Sequence, residues 1–258
     1  THAMLSVTGV VHAGEQPGAS IGQGEAIRIM TGAPIPPGAD SVVRVEDTDA
    51  EQTPGIVRVF QNRDERRHIR LAGQDMEVGD QVLAAGTTVT PTTVGLLAAL
   101  GMENVLAVKQ PSVAILPTGD ELRTPERYDE VQRGEGVPES NGPMLAAGVT
   151  GASGIPLSLG IASDDPETLR TRIFNATEAD VLITIGGASM GEADLVKRIL
   201  EELGFEQDFW RVRIRPGSPF GFGRLPRENR YQTVFSLPGN PTSAFVTFEL
   251  FVRPFLLA

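Results

Sequence analysis

Residues 181–194 read VLITIGGASMGEAD. Val181 to Ile185 form an apolar run that meets the pair Gly186-Gly187, and after a short polar stretch comes the helix-like run LVKRILEELG. The pattern predicts a buried strand, a tight glycine turn and a helix start. Glycines let a backbone approach an anion, and the unpaired N–H groups of a helix N-terminus point at it. Glu192 and Asp194 sit in the same turn. They suit the helix dipole but repel a bare phosphate. A bridging divalent cation would reconcile the two, so the stretch points to a phosphorylated ligand handled with magnesium. A plain βα turn capped by acids accounts for the same residues equally well.

Around this stretch, strand and helix signals alternate from residue 111 to 258. SVAIL (112–116), IPLSLGI, VLITI, WRVRIRPG and TVFSLPGNP read as strands. NGPMLAAGVTG (141–151), SDDPETLRTRIFNATEAD, LVKRILEELG and TSAFVTFELFVRPFL read as helices. The first of these has Asn141 as its N-cap, and the second opens with acids and an early proline. Such alternation predicts an α/β domain, a mostly parallel sheet with helices on both faces. In sheets of this kind ligands bind at the carboxyl ends of the strands. Four loops expected there carry unusual chemistry: PTGDEL, GIASDDP, GGASMGEAD and LPGNP. ERYDEVQRGEGVPE (126–139) is polar and poorly periodic and reads as a loop.

Residues 1–72 have a different character. VTGVV, EAIRIM, SVVRV and IVRVF are short β-branched runs separated by proline- and glycine-rich turns, which predicts a separate β-rich domain. Residues 73–109 read as a linking segment. GDQVLAAGTTVTP suggests two short strands, TTVGLLAALGM a helix stopped at Gly101, and VLAVKQP a further strand. The expected division is therefore 1–72, 73–109 and an α/β domain over 110–258.

Composition narrows the function. The formal charge is −11, from 22 basic and 33 acidic residues, so non-specific nucleic-acid binding is not expected. No apolar run reaches the ~18 residues of a membrane span, and nothing after Thr1 reads as a signal peptide. Cysteine is absent and the three histidines are scattered, which disfavours thiolate sites, a histidine-rich zinc site and a Ser-His-Asp triad. A cytoplasmic protein is the expectation.

Three groups of residues could carry chemistry. In Trp210–Arg215 arginines 211, 213 and 215 alternate with apolar residues. On a strand they would share one face, suited to bidentate binding of an oxyanion. A solvated edge is the competing reading. Asp75, Asp120, Glu121, Asp164, Asp165, Glu192 and Asp194 stand at loop positions suited to magnesium, with helix capping preferred for Asp165 and Glu192. LPGNP at 237–241 is a rigid turn from which Pro241 starts a helix; it could present backbone groups to a flat ring or simply turn the chain.

IRIMTGAPIPPGAD, the Gln-Asp of AGQDM, LPTGDEL, SNGPML, GGASMGEAD, RPGSPF and LPGNPTSAFVTFELFVRP occur in this order. Together, over nearly the whole chain, they resemble the molybdopterin molybdenumtransferase family, the MoeA and gephyrin E-domain group. The resemblance implies a three-layer α/β molybdopterin-binding domain and a magnesium-dependent enzyme of molybdenum cofactor biosynthesis. Such an enzyme takes adenylylated molybdopterin and molybdate, hydrolyses the adenylate with release of AMP, and inserts molybdenum into the dithiolene. It implies a homodimer whose site lies between the β-rich domain of one subunit and the α/β domain of the other, with the molybdopterin adenylyltransferase as a possible partner. Two other readings stand beside it. Molybdopterin adenylyltransferase activity would not need residues 1–109, and a non-catalytic dimerisation or scaffold domain would not need the acids.

Motif by motif, the resemblance implies that Thr31 and Asp75 form the β-rich side of the site. Asp75, Glu121, Asp164 and Asp194 would be catalytic, with Asp194, Glu121 and Asp164 handling Mg2+. Thr31, Asn141, Gly186, Gly187, Ser189, Arg211, Arg215, Ser218, Pro238, Asn240 and Pro241 would contact substrate. The chain departs from the family pattern in places. Gln74 replaces a carboxylate, Ser218 a lysine, and Arg211 and Arg215 stand where lysines are common. A Met-Asp-Gly-Tyr-type motif has no counterpart after Thr1, and the family's C-terminal β domain would begin after Pro254. The resemblance therefore implies a piece of a longer protein, and it does not imply that the piece is active alone.

Overall fold

The computed structural model describes residues 3–61, 63–186 and 193–258, the side chains of Ala193 and Asp194 excepted. The chain divides into two compact units, Thr1–Glu103 and Asn104–Ala258. Residues 73–103 thus fall in the first unit and 104–109 in the second.

The first unit is built on three strands, β1 (Ala3–Val11), β2 (Glu25–Ile29) and β3 (Ile56–Val59), in the order β2-β1-β3. β1 pairs with β2 in parallel and with β3 antiparallel. The β-branched runs VTGVV, EAIRIM and IVRVF fall on these strands: Leu5, Val7, Ile27, Ile29, Val57 and Val59 are half-buried, and they line a cavity of about 620 Å³. Val11 and Pro36 are the only apolar residues of this unit that are buried among the described residues. α1 (Pro91–Ala99) follows, capped by Thr90, and Gly101 ends the run at φ +70°, as its sequence predicts.

Three stretches of the first 110 residues expected to hold strands do not. SVVRV leaves the extended state for a 3-10 turn at Val45–Asp47, where the Asp47 carboxylate collects Arg44 and Arg63. The stretch 80–90 is a chain of turns, with Asp80 N–H donating to the Glu77 carbonyl and Thr87 N–H to that of Ala84. Residues 105–110 are not paired as a strand.

The second unit begins with β4 (Ser112–Pro117). There follow β5 (Leu122–Arg123), α2 (Tyr128–Gln132), β6 (Val137–Pro138), α3 (Asn141–Gly151), β7 (Ile155–Ser158), α4 (Pro166–Asn175) and β8 (Val181–Ile185). It continues with α5 (Ala193–Glu202), β9 (Glu206–Phe209), β10 (Gly221–Arg227), β11 (Arg230–Leu237), α6 (Pro241–Thr247), a π turn (Phe248–Val252) and α7 (Arg253–Leu257). Six strands form one sheet in the order β7-β4-β8-β11-β10-β9. The first four are parallel; β10 and β9 complete it as an antiparallel edge.

β8 is central and every residue of it is buried, as the run Val181–Ile185 predicts. Its odd positions pack with Ile115, Phe235 and Phe248 on the α3 and C-terminal helical face. Leu182 packs with Leu116, Ile173 and Ile199 on the α4–α5 face. This period-two alternation makes three layers. Buried Thr184 donates from Oγ1 to Ser236 Oγ at 2.9 Å, so the polar pair inside the sheet is satisfied.

Here too the structure corrects the sequence reading. WRVRIRPG is not a strand. β9 takes the sheet edge and the chain leaves at Trp210, where Val212 N–H bonds the Ser218 carbonyl instead of a neighbouring strand. Gly221 permits the departure: a Cβ there would fall 2.6 Å from the Trp210 ring. Arg211, Arg213 and Arg215 remain exposed while Val212 and Ile214 are half-buried. The 126–139 loop contains α2 and the β6 strand that pairs with β5. β9 and β10, rich in glycine and charge, lack a sequence signal of their own.

Candidate active site at the strand ends

The parallel order places the ends of β7, β4, β8 and β11 side by side, and main-chain bonds join the loops that leave them. Thr118 N–H donates to the Ile185 carbonyl at 2.8 Å and Gly119 N–H to that of Ala162 at 3.1 Å. Gly186 N–H donates to the Leu237 carbonyl at 3.1 Å. Gly186 holds φ +99°, and a Cβ there would sit 2.7 Å from the Thr118 carbonyl oxygen. Only glycine allows that approach. The PTGDEL, GIASDDP, first glycine of GGASMGEAD and LPGNP stretches thus meet along one row.

Asn141 ties a helix to this row. It is the first residue of α3, with Ser140 as N-cap, which corrects the expectation of an Asn141 cap. Its buried side chain donates from Nδ2 to the Gly239 carbonyl. Glu139 does the capping: its carboxylate accepts from Gly142 N–H at 2.6 Å. Asn240 caps α6 by accepting from Ser243 N–H, with Pro241 at the first helical position. The proline rule read in LPGNP is followed.

The acids occupy distinct environments. Asp120 N–H donates to the Asp164 carboxylate at 3.3 Å, and Asp164 N–H to that of Asp120 at 3.2 Å. Each loop therefore holds the other through a carboxylate. Glu121 folds its carboxylate against the α-carbon of Gly119, whose φ is +143°. Asp165 caps α4, accepting from Thr168 N–H at 2.8 Å, and that bond holds its carboxyl below the ordinary aspartate range. The capping reading of Asp165 is the one the structure supports. Gly187, Ser189 and Glu192 lie outside the described residues, as does the side chain of Asp194, whose backbone is in the first turn of α5. Among the described residues, no three acidic or histidine side chains gather as a metal cluster. Magnesium is commonly held by one or two carboxylates together with substrate phosphates, a smaller donor set that Asp164 and Glu121 would supply from the two bonded loops.

Pro238 sits in the same turn as Gly239, while exposed Arg211, Arg215 and Ser218 follow the departure from β9. In the first unit, Thr31 is in the Met30–Ala33 turn. Asp75 lies 2.5 Å from Arg70, both side chains well exposed. The 620 Å³ cavity contains none of the predicted site residues. Sequence reasoning missed Thr118, Glu139 and Arg70. Thr118 acts through its own N–H and Glu139 through a carboxylate on the Gly142 N–H, neither of which residue type alone signals.

Among the described residues, no helix is long and apolar enough to cross a membrane. Two family models match the chain in tandem. A model described as a probable molybdopterin binding domain covers residues 114–258, which places the second unit among the α/β domains of that family. A model described as the MoeA N-terminal region (domain I and II) covers residues 1–101. The chain belongs to the molybdopterin molybdenumtransferase family.

The chain is 37% identical to the molybdopterin molybdenumtransferase of Haemophilus influenzae, over 98% of its own length and 60% of that protein's. With the Bacillus subtilis protein of the same name the identity is 38%, over 92% and 54%. The chain therefore spans 54–60% of the length of these curated relatives. A solved molybdopterin biosynthesis MoeA protein from Pyrococcus horikoshii OT3 is similar with a TM-score of 0.73 and 28% identity, covering 99% of this chain and 60% of that one.

Proposed function

We propose that this chain is the substrate-handling part of a cytoplasmic molybdopterin molybdenumtransferase. The parent protein hydrolyses adenylylated molybdopterin, releases AMP and inserts molybdenum from molybdate into the dithiolene. The observation that carries this reading is the row of family motifs at the ends of β4, β8 and β11, joined by the bonds of Thr118, Gly186 and Asn141. Glycines close the backbone there and exposed arginines follow nearby in the chain, as a phosphorylated, flat ligand requires.

In this reading Gly186, Gly187, Ser189, Asn141, Pro238, Asn240 and Pro241 shape the substrate site. Arg211 and Arg215 attract its phosphate, and Ser218 stands beside them. Asp75, Glu121, Asp164 and Asp194 act on the reacting groups, with Thr31 contributing to the β-rich side of the site together with Asp75. Mg2+ would be held by Asp194 with Glu121 and Asp164, and it would screen the phosphate from the carboxylates. The parent protein works as a homodimer with a site shared between subunits, and it receives the adenylate from a molybdopterin adenylyltransferase.

The test is adenylate hydrolysis by the full-length parent, with molybdate and Mg2+, following AMP release. Asp194→Asn keeps size and removes charge. It is expected to lose most of the rate together with the magnesium dependence while still binding ligand. Full activity with a normal magnesium response in that variant would reduce Asp194 to a helix cap.

A further inference from the structure

Among the described residues, no helix or strand lies between Val59 and Pro91, yet this stretch carries Asp75. It is anchored by a cluster of charges. Asp47 and Asp64 are 4% and 3% exposed. Arg44 bridges them, with Nε 3.1 Å from Asp64 and Nη2 2.9 Å from Asp47. Arg63 holds Asp47 through Nε at 3.0 Å and through Nη2. His68 Nε2 lies 3.1 Å from the second oxygen of Asp64. Buried ion pairs are weak evidence of stability, because desolvation offsets their attraction. Their better attested use is to fix a geometry.

The geometry fixed here is unusual. Arg66 and His68 have φ of +56° and +62°, a region that non-glycine residues occupy only when their surroundings enforce it. Two contacts enforce it: Arg66 N–H donates to Ser41 Oγ at 3.1 Å, and His68 meets Asp64. Two residues later Arg70 pairs with Asp75, and Leu71 N–H donates to Gln74 Oε1 at 3.0 Å, closing the turn that presents Asp75.

We infer that His68 is a positioning residue: by clasping Asp64 it holds the left-handed backbone that aims Arg70 at Asp75. The inference rests on the reading of Asp75 as a site residue. The Asp64 carboxyl, depressed to about 2 by His68 and Arg44, keeps the clasp's anion charged at any working pH.

The test compares His68→Asn and His68→Gln, each with and without Asp75→Asn, in adenylate hydrolysis by the full-length parent. Asn tolerates the left-handed backbone but is too short for Asp64, so it removes the clasp without adding strain. His68→Asn is expected to lower kcat about tenfold with KM unchanged, and to lower it no further once Asp75 is already changed. His68→Gln, which keeps a donor within reach, is expected to recover most of the rate. Additive losses, or no recovery with Gln, overturn the inference.

Trypsin supplies a readout independent of activity, because Arg66, Arg67 and Arg70 are its sites. On this chain, cleavage after Arg70 is expected to quicken about tenfold in His68→Asn, as local opening becomes easier, with cleavage after Arg133 of the second unit unchanged. Equal cleavage in all variants overturns the clasp. A parent without adenylate hydrolysis overturns the functional reading instead, and the trypsin comparison then decides the clasp alone.

Discussion

Asn141 donates from Nδ2 to the carbonyl oxygen of Gly239 at 2.7 Å, joining residues 98 positions apart. The carbonyl partner fixes which way the amide faces, because only the NH2 can donate. Oδ1 is left buried with no partner among the described residues. One side chain therefore ties the start of α3 to the turn after β11.

Asn141→Asp places an oxygen opposite the Gly239 carbonyl. The lost bond and the buried acceptors are expected to cost about 1–3 kcal/mol, lowering the melting midpoint by roughly 2–4 °C per kcal/mol. The melt is followed by fluorescence of Trp210, the sole tryptophan of the chain. An unchanged midpoint would show that the tie carries no stability.

Gly186→Ala adds a Cβ 2.7 Å from the Thr118 carbonyl oxygen, on a backbone at φ +99°. The combined clash and strain are expected to cost roughly 2–4 kcal/mol. The same melt, with Gly239→Ala as a comparison, checks it. A Cβ at Gly239 would make only ordinary contact, at 3.4 Å from Gly186 Cα, so the milder variant should melt higher.

The α/β layering and the central place of Val181–Ile185 were legible because continuous burial leaves a continuous apolar run. So were the cap at Asp165, where a local hydrogen bond selects the residue type, and the helix start at Pro241. The Arg211–Arg215 stretch misled because apolar and charged residues alternate in exposure there without any strand partner. Periodicity reports which side faces water, not which backbone is paired. The reciprocal grip of Asp120 and Asp164 joins loops 44 residues apart, and spacing carries no trace of it. Asn141 was placed at the right helix end but one position early, since the cap and the first helical residue share a preference for small polar groups.

Acid is expected to loosen the first unit through Asp64. Its folded pKa, about 2, lies below the ordinary 3.8, chiefly because His68 bonds its carboxylate. A depressed carboxyl contributes stability that is whole above the unfolded value and is lost as pH falls through the folded one. The loss should therefore run between pH 3.8 and about 2. Melting midpoints across that range check it. Asp64→Asn should flatten the acid limb, and an unaltered limb would exclude this carboxyl as its source.

Arg215→Ala is expected to weaken binding of an adenylylated or phosphorylated pterin about tenfold or more, since a charge-assisted bond to phosphate contributes roughly 1.5–3 kcal/mol. Arg211→Lys and Arg215→Lys keep the charge and lose the fork, so they should fall between wild type and Ala. Titration calorimetry at two salt concentrations checks both. Equal affinity in Arg215→Ala would leave these arginines as a solvated face.

The unequal burial of the two units has a consequence for cooperativity. The slope of unfolding free energy against denaturant follows the surface newly exposed to solvent. The second unit encloses two dense apolar clusters, whereas the first closes over little more than Val11. Urea should accordingly melt the second unit along a steep curve and the first along a shallow one. No single free energy of unfolding describes a chain whose halves respond so differently.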